Sequence, residues 1–257
     1  MNVIFIGDIV GPGAVDYLAR RLPPLREEHG ADLVVANAEN CLVSGSEVWS
    51  GFGMSVELVE RLFAAGVDVI TGGNHSWDGP HSETVLEHPR VLRPHNVPAG
   101  TPGKGILSLE VTGEPVSVIN LAGASAVPEA LPAYKSWLAA RPRGTAIVDF
   151  HSESPLEKQA FAFAVDGEAA AVLGTHTHEP TLPLHLLPRG TALVTDVGMT
   201  GPSGGLAGID PGQFVARLKG EDPATPDSLR LAPGPITLGA VLLSIEDGRT
   251  SGLERLS

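Results

Sequence analysis

Ala169-Ala170-Ala171-Val172-Leu173-Gly174-Thr175-His176-Thr177-His178 begins as five apolar residues and finishes on two histidines. The apolar run is short and bounded by glycine, which predicts a buried strand. That strand carries His176 and His178 into the loop at its end. Neutral imidazole is the commonest metal ligand among side chains. Taken alone the pair is a weak signal, because surface histidines fall in pairs by accident. The rest of the chain decides it.

Four other strand-like runs finish the same way. Val3 to Gly7 leads to Asp8, Leu33 to Ala38 leads to Glu39-Asn40, Val67 to Gly73 leads to Asn74-His75, and Thr145 to Phe150 leads to His151. In α/β sheets, chemistry gathers at the carboxyl ends of strands. Carboxylates, amides and imidazoles together make a nitrogen and oxygen donor set. Such a set suits Zn, Mn or Fe and not a thiolate-selective metal. It is too large for one tetrahedral ion. Two ions about 3.5–4 Å apart, sharing a carboxylate, would use it fully.

Composition sets the outer bounds. No repeat or linker divides the 257 residues, so one α/β domain over residues 1–257 is expected. Apolar residues make up 42% and aromatics 5%, so aliphatic packing must dominate the core. No run is long and apolar enough for a membrane span. Met1-Asn2 leads straight into the first strand without a basic or signal-like segment, and a cytoplasmic location is expected. The single cysteine, Cys41, excludes an internal disulfide and agrees with a reducing compartment. It stands two residues after Glu39 and reads as a small buried residue before it reads as a ligand. A net charge of −13 argues against an extended nucleic-acid surface. It leaves room for a small anionic substrate, because metal ions supply local positive charge.

In chain order, Ile9 to Gly13 is a strand-to-helix turn exposing Asp8. It matches neither phosphate-loop nor dinucleotide-loop patterns. Val15, Leu18, Leu22 and Leu25 mark one face of a helix ending near Gly30. The stretch from Cys41 to Met54, with Trp49, is long enough to form a lid or rim. Ser55 caps a helix that turns Val56, Leu58, Val59, Leu62 and Phe63 inward. After Gly72-Gly73, Asn74 offers an oxygen ligand. His75 is a ligand or a proton donor, and Asp78 either shapes the loop or orients His75. Residues 88–105 form a Pro- and Gly-rich connection in which Arg93, His95 and Lys104 are phosphate contacts or simply solvated. Ile106 to Val111 and Pro115 to Leu121 read as a hairpin, placing antiparallel strands in a mixed sheet. Leu131 to Ala140 reads as a helix, and so does Pro155 to Val165 behind a Ser154 cap. Asp196 either bonds a ligating histidine or shapes a turn. Leu238 to Ile245 and Leu253 to Leu256 read as a last hairpin. Such hairpins would let subunits pair, so a homo-oligomer is one expectation.

Asp8, Glu39, Gly73-Asn74-His75, His151 and Gly174 to His178 stand in the motif order of the calcineurin-like metallophosphoesterases, which the chain resembles. Within them it is similar to the bacterial YmdB-like family. The carriers are Phe5 to Gly11, Glu39-Asn40, Gly73 to Asp78, Thr101 to Gly105, Val148 to His151, Gly174 to His178 and Thr195 to Pro202. The resemblance implies a four-layer αββα sandwich, two mixed sheets packed face to face with helices outside. It implies two metal ions per chain, iron (Fe2+/Fe3+) first, with Mn2+ or Zn2+ as alternatives. By match to the motifs, Asp8, Glu39, Asn40 and His178 would hold one ion. Glu39, Asn74, His151 and His176 would hold the other, with Glu39 shared. His75 would protonate the leaving oxygen after hydroxide attack on small phosphodiesters such as 2′,3′-cyclic nucleotides. The long loop before Gly51-Phe52-Gly53 and the short segment from Leu121 to Tyr134 depart from the family and bear on substrate choice. A phosphomonoesterase on the same metals is the second reading. A regulatory metal-binding protein acting through partners is the third.

Overall fold

The computed structural model describes residues 1–43, 51–221 and 229–257. Trp49 and half of the expected rim loop lie outside the described residues, as does part of the proline-rich stretch 220–236.

In chain order, β1 (Asn2–Ile6), α1 (Pro12–Glu28), β2 (Leu33–Asn37), α2 (Val56–Ala64) and β3 (Val69–Thr71) come first. Next are α3 (Ser82–Leu86) and a hairpin of β4 (Ile106–Val111) and β5 (Glu114–Ala122). Then come α4 (Ala133–Ala140), β6 (Thr145–His151), α5 (Pro155–Ala164) and β7 (Ala171–Thr175). The short strands β8 (His185–Leu186), β9 (Ala192–Val194) and β10 (Gly201–Pro202) precede α6 (Gly212–Leu218). The chain ends with β11 (Ile236–Thr237), β12 (Ala240–Glu246) and β13 (Arg249–Leu256).

Two mixed sheets result. One runs β13-β12-β1-β2-β3, with β1, β2 and β3 parallel and β12 and β13 antiparallel. The other runs β4-β5-β6-β7-β9-β8, with a parallel centre and antiparallel edges. Successive strand residues point to opposite faces, and the packing follows that alternation. Val3, Phe5, Leu33 and Val35 meet Val118, Ile147, Ala171 and Leu173 between the sheets. Ile4, Ile6, Val34 and Ala36 face outward onto Leu18, Leu22, Leu58 and Leu62 of α1 and α2. On the far side Val148, Phe150 and Val172 pack on Trp137 and Phe161 of α4 and α5. Three apolar layers therefore separate four layers of structure, and the expected αββα sandwich is the fold.

Local expectations held where capping chemistry was explicit. Ser55 accepts from Leu58 N at 3.3 Å, and Ser154 accepts from Glu157 N at 3.3 Å. The start of α4 and the facing of Val56 differ. α4 starts at Ala133 and not Leu131, because a residue ahead of Pro132 is steered away from helical backbone. Val56, expected inward, is exposed on the first turn of α2, where Leu58, Val59 and Leu62 already fill the buried face.

Candidate metal centre

The parallel strands of both sheets end at one edge of the sandwich, and the seven expected ligands meet there. Asp8 follows β1, Glu39 and Asn40 follow β2, and Asn74 follows β3. From the other sheet, His151 ends β6, while His176 and His178 follow β7. Asp8, Glu39 and His151 have no exposed surface.

The contacts are close. His151 Nε2 lies 3.2 Å from Glu39 Oε1, 2.8 Å from Asn74 Oδ1 and 3.0 Å from His176 Nδ1. Ligand atoms of Glu39, His151 and His176 all fall within 4.8 Å of one another. His178 Nε2 lies 3.7 Å from Asp8 Oδ1 and 3.2 Å from Asn40 Nδ2. Asp8 also accepts the His176 backbone N–H, at 3.1 Å to Oδ2. Both histidines hold positive φ, 98° at His176 and 65° at His178. Residues with a side chain rarely adopt that region, and strained backbone of this kind clusters at functional sites.

Glycine is required at two positions here. A Cβ on Gly73 would stand 2.2 Å from His151 Nε2, and one on Gly174 would stand 2.0 Å from the Thr195 carbonyl oxygen. The backbone can reach the site only because those side chains are missing.

Burial works against charge on Glu39, yet His151 beside it brings its carboxyl down to about 2. Burial likewise works against a charged His151, but Glu39, Asp8 and Asp149 push it up to about 9. Burial and the charge of His151 hold His176 down to about 4. Burial raises Asp8. The buried carboxylates thus favour positive charge beside them, and a bound cation would supply it.

The donors fit a metal on two further counts. Asn40 Oδ1 is buried without a hydrogen-bond partner, and buried acceptors are rarely left so. Among the described residues, Asp8, Glu39, Asp149 and Asp196 are buried near these strand ends, against one buried ammonium, Lys158. That ammonium is held by Asp196 at 3.2 Å. Cys41 plays no such part. Its thiol is buried, pushed up to about 12 by desolvation, and turned toward the Gly53 carbonyl.

His75 sits beside the cluster. Its backbone N–H donates to Glu39 Oε2 at 3.0 Å, and its Nδ1 lies 2.6 Å from Asp78 Oδ2. Phe52 stacks on the imidazole, with centroids 4.0 Å apart. The Arg93 guanidinium donates to the carbonyls of Pro94, Thr101 and Pro102 and clamps its own loop. Among the described residues Asp196 bonds none of the candidate ligand histidines. It accepts from Thr177 N at 3.1 Å and Thr177 Oγ1 at 2.7 Å, and so pins the loop between the two.

Sequence reasoning missed the supports. Asp149 accepts from Thr175 Oγ1, Asn37 Nδ2 and Thr71 Oγ1. Thr175 Oγ1 lies 2.9 Å from His151 Nδ1, and the Ala207 carbonyl lies 3.0 Å from His178 Nδ1. One signal was available. Strand alternation places Asp149 on the same inward face as Ile147 and His151, where an unpaired carboxylate would be costly.

Fold and site together define a calcineurin-like metallophosphoesterase. Within that class the chain belongs to the YmdB-like family, whose model matches residues 4–256. It is 37% identical over 256 residues to a 2′,3′-cyclic-nucleotide 2′-phosphodiesterase of Bacillus subtilis, covering 96% of this chain and 92% of that protein. The crystal structure of a hypothetical protein from Thermus thermophilus superposes with a TM-score of 0.88 at 36% identity, over 98% of this chain and 97% of that one. A novel phosphatase of Mycoplasma pneumoniae superposes with a TM-score of 0.86 at 30% identity, over 99% and 92%.

Proposed function

We propose that this chain is a two-metal phosphodiesterase acting on small phosphodiesters, 2′,3′-cyclic nucleotides among them. The observation that carries the reading is the excess of buried carboxylate over ammonium at one sandwich edge, beside the unpartnered Asn40 Oδ1. The Bacillus subtilis relative supports the substrate class.

In this reading Asp8, Glu39, Asn40 and His178 would hold one ion, and Glu39, Asn74, His151 and His176 would hold the other. Glu39 is shared. The donors are nitrogen and oxygen, which suits iron, manganese or zinc. Bound there, such ions would supply Lewis acidity toward phosphate oxygens and toward a water. The protein's own residues do the rest. The pairing of His75 Nδ1 with Asp78 leaves Nε2 as the nitrogen that hands a proton to the departing ribose oxygen. Phe52 covers one face of that ring and limits its tilt. The bond from His75 N to Glu39 ties the backbone of the proton donor to the carboxylate that both ions would share.

The Mycoplasma pneumoniae phosphatase favours a monoester as the second substrate class. Turnover of 2′,3′-cyclic AMP and of AMP should be compared on protein of known metal content, with Fe, Mn and Zn restored separately. Metal-dependent opening of the cyclic diester to a monophosphate is the expected result. Hydrolysis of AMP alone would overturn the diesterase reading and leave the metals standing. Inactivity on both, with two ions bound, would favour a regulatory role.

A further inference from the structure

His151 is enclosed on both ring nitrogens. Nε2 faces the Glu39, Asn74 and His176 donors, while Nδ1 faces Thr175 Oγ1 at 2.9 Å. A neutral imidazole carries a proton on one nitrogen and a lone pair on the other. Only the lone pair binds a metal, so the tautomer decides whether His151 can serve.

The neighbours of Thr175 set that choice. Its hydroxyl has one proton to donate, and Asp149 Oδ1 stands 2.7 Å away as an acceptor. Asp149 Oδ2 meanwhile accepts from Thr71 Oγ1 and from Asn37 Nδ2, the latter at 3.0 Å. The Asn37 amide is fixed in turn, because its Oδ1 accepts from Glu39 N at 3.2 Å and its Nδ2 also donates to the Gly72 carbonyl at 3.0 Å. Thr175 therefore donates to Asp149 and accepts from His151 Nδ1–H.

We infer that Thr175 and Asp149 are positioning residues: through this relay they hold His151 as its Nδ1–H tautomer and aim the Nε2 lone pair at the ion site. The inference rests on the two-metal reading above. The relay also crosses the sandwich. Asn37 and Thr71 belong to β2 and β3, Asp149 and Thr175 to β6 and β7. One carboxylate thus braces His151 from one sheet and, through Asn37, the backbone of Glu39 from the other. Partners of this kind that orient ligands are known to tune metal affinity.

The test uses full-length protein and Zn2+ alone, with affinity read by competition against a chromophoric chelator. Thr175→Val keeps the shape and removes the hydroxyl, and should weaken Zn2+ binding by about 10-fold, while Thr175→Ser should stay within about twofold of the parent. Asp149→Asn should weaken it by up to about 100-fold. The Asn37 and Thr71 donors fix the new carbonyl, so the new NH2 faces Thr175 and reverses the relay toward the Nε2–H tautomer. Long-range 1H–15N spectra of the Zn2+-loaded parent should show the His151 proton on Nδ1. A proton on Nε2 there would overturn the inference without any variant. Equal affinity of Thr175→Val and Thr175→Ser would overturn it too. Failure of the parent itself to bind two Zn2+ is a different result, and it would count against the two-metal reading.

Discussion

Gly73→Ala is the sharpest steric test of the site. The added Cβ would stand 2.2 Å from His151 Nε2 and 2.3 Å from both Cδ2 and Cε1. Ordinary carbon contacts lie at about 3.5–4.0 Å, so the ring must retreat by roughly 1 Å. It has nowhere easy to go. His151 has no exposed surface, and both of its nitrogens are engaged. Overpacking of a filled interior costs about 1–3 kcal/mol. A displacement near 1 Å in a reacting constellation costs on the order of 10²-fold in rate. We expect Gly73→Ala to lose turnover by about that factor, to retain less metal after dialysis, and to melt several degrees lower. Gly13→Ala is the control. Its Cβ would meet nothing within 4 Å, and it lies in α1. That change should be neutral or stabilise by up to about 1 kcal/mol through helix propensity. The reasoning fails if Gly73→Ala keeps the turnover, metal content and melting temperature of the parent.

Two further predictions rest on separate contacts. His75→Ala should lower turnover by about 10²–10⁴-fold while metal content stays level; parallel loss of metal, measured by elemental analysis, would move His75 into the ligand set. Lys158→Met should destabilise by about 3–5 kcal/mol, because it removes the ammonium paired with the buried Asp196 carboxylate; an unchanged urea midpoint would show that the N–H of Gly198 and the donors of Thr177 satisfy Asp196 without it.

What the sequence made legible was the part written in local chemistry. Apolar runs ending in Asp8, Glu39, His151 and His176 announced strands and the donor groups at their ends together, since each run and its terminal residue are contiguous. Ser55 and Ser154 announced helix starts by the same logic. Contacts between sheets were harder to see. Nothing adjacent to Asp149 in sequence reveals that Asn37, Thr71 and Thr175 donate to it, because those partners come from three other strands. Arg93 was misleading for a related reason. A cation in a Pro-rich loop reads as available, whereas here the loop folds back and presents three carbonyls to it.

The His176-Thr177-His178 segment shows how such a site is kept in shape. Positive φ at two non-glycine residues so close together costs of order 1–3 kcal/mol each. The conformation persists because each strained unit has an anchor. His176 N donates to Asp8, Thr177 N and Oγ1 donate to Asp196, and His178 Nδ1 meets the Ala207 carbonyl. Two of these anchors are carboxylates, and charge-assisted bonds are roughly twice as strong as neutral ones. Asp8 has a double task, since it faces His178 as well as the His176 backbone. Replacing it would therefore disturb the loop that carries both histidines along with its own place in the donor set. A loss of metal in an Asp8 variant would then report on three proposed ligands at once, which is why Thr175, outside the proposed donor set, is the cleaner place to probe how those donors are held.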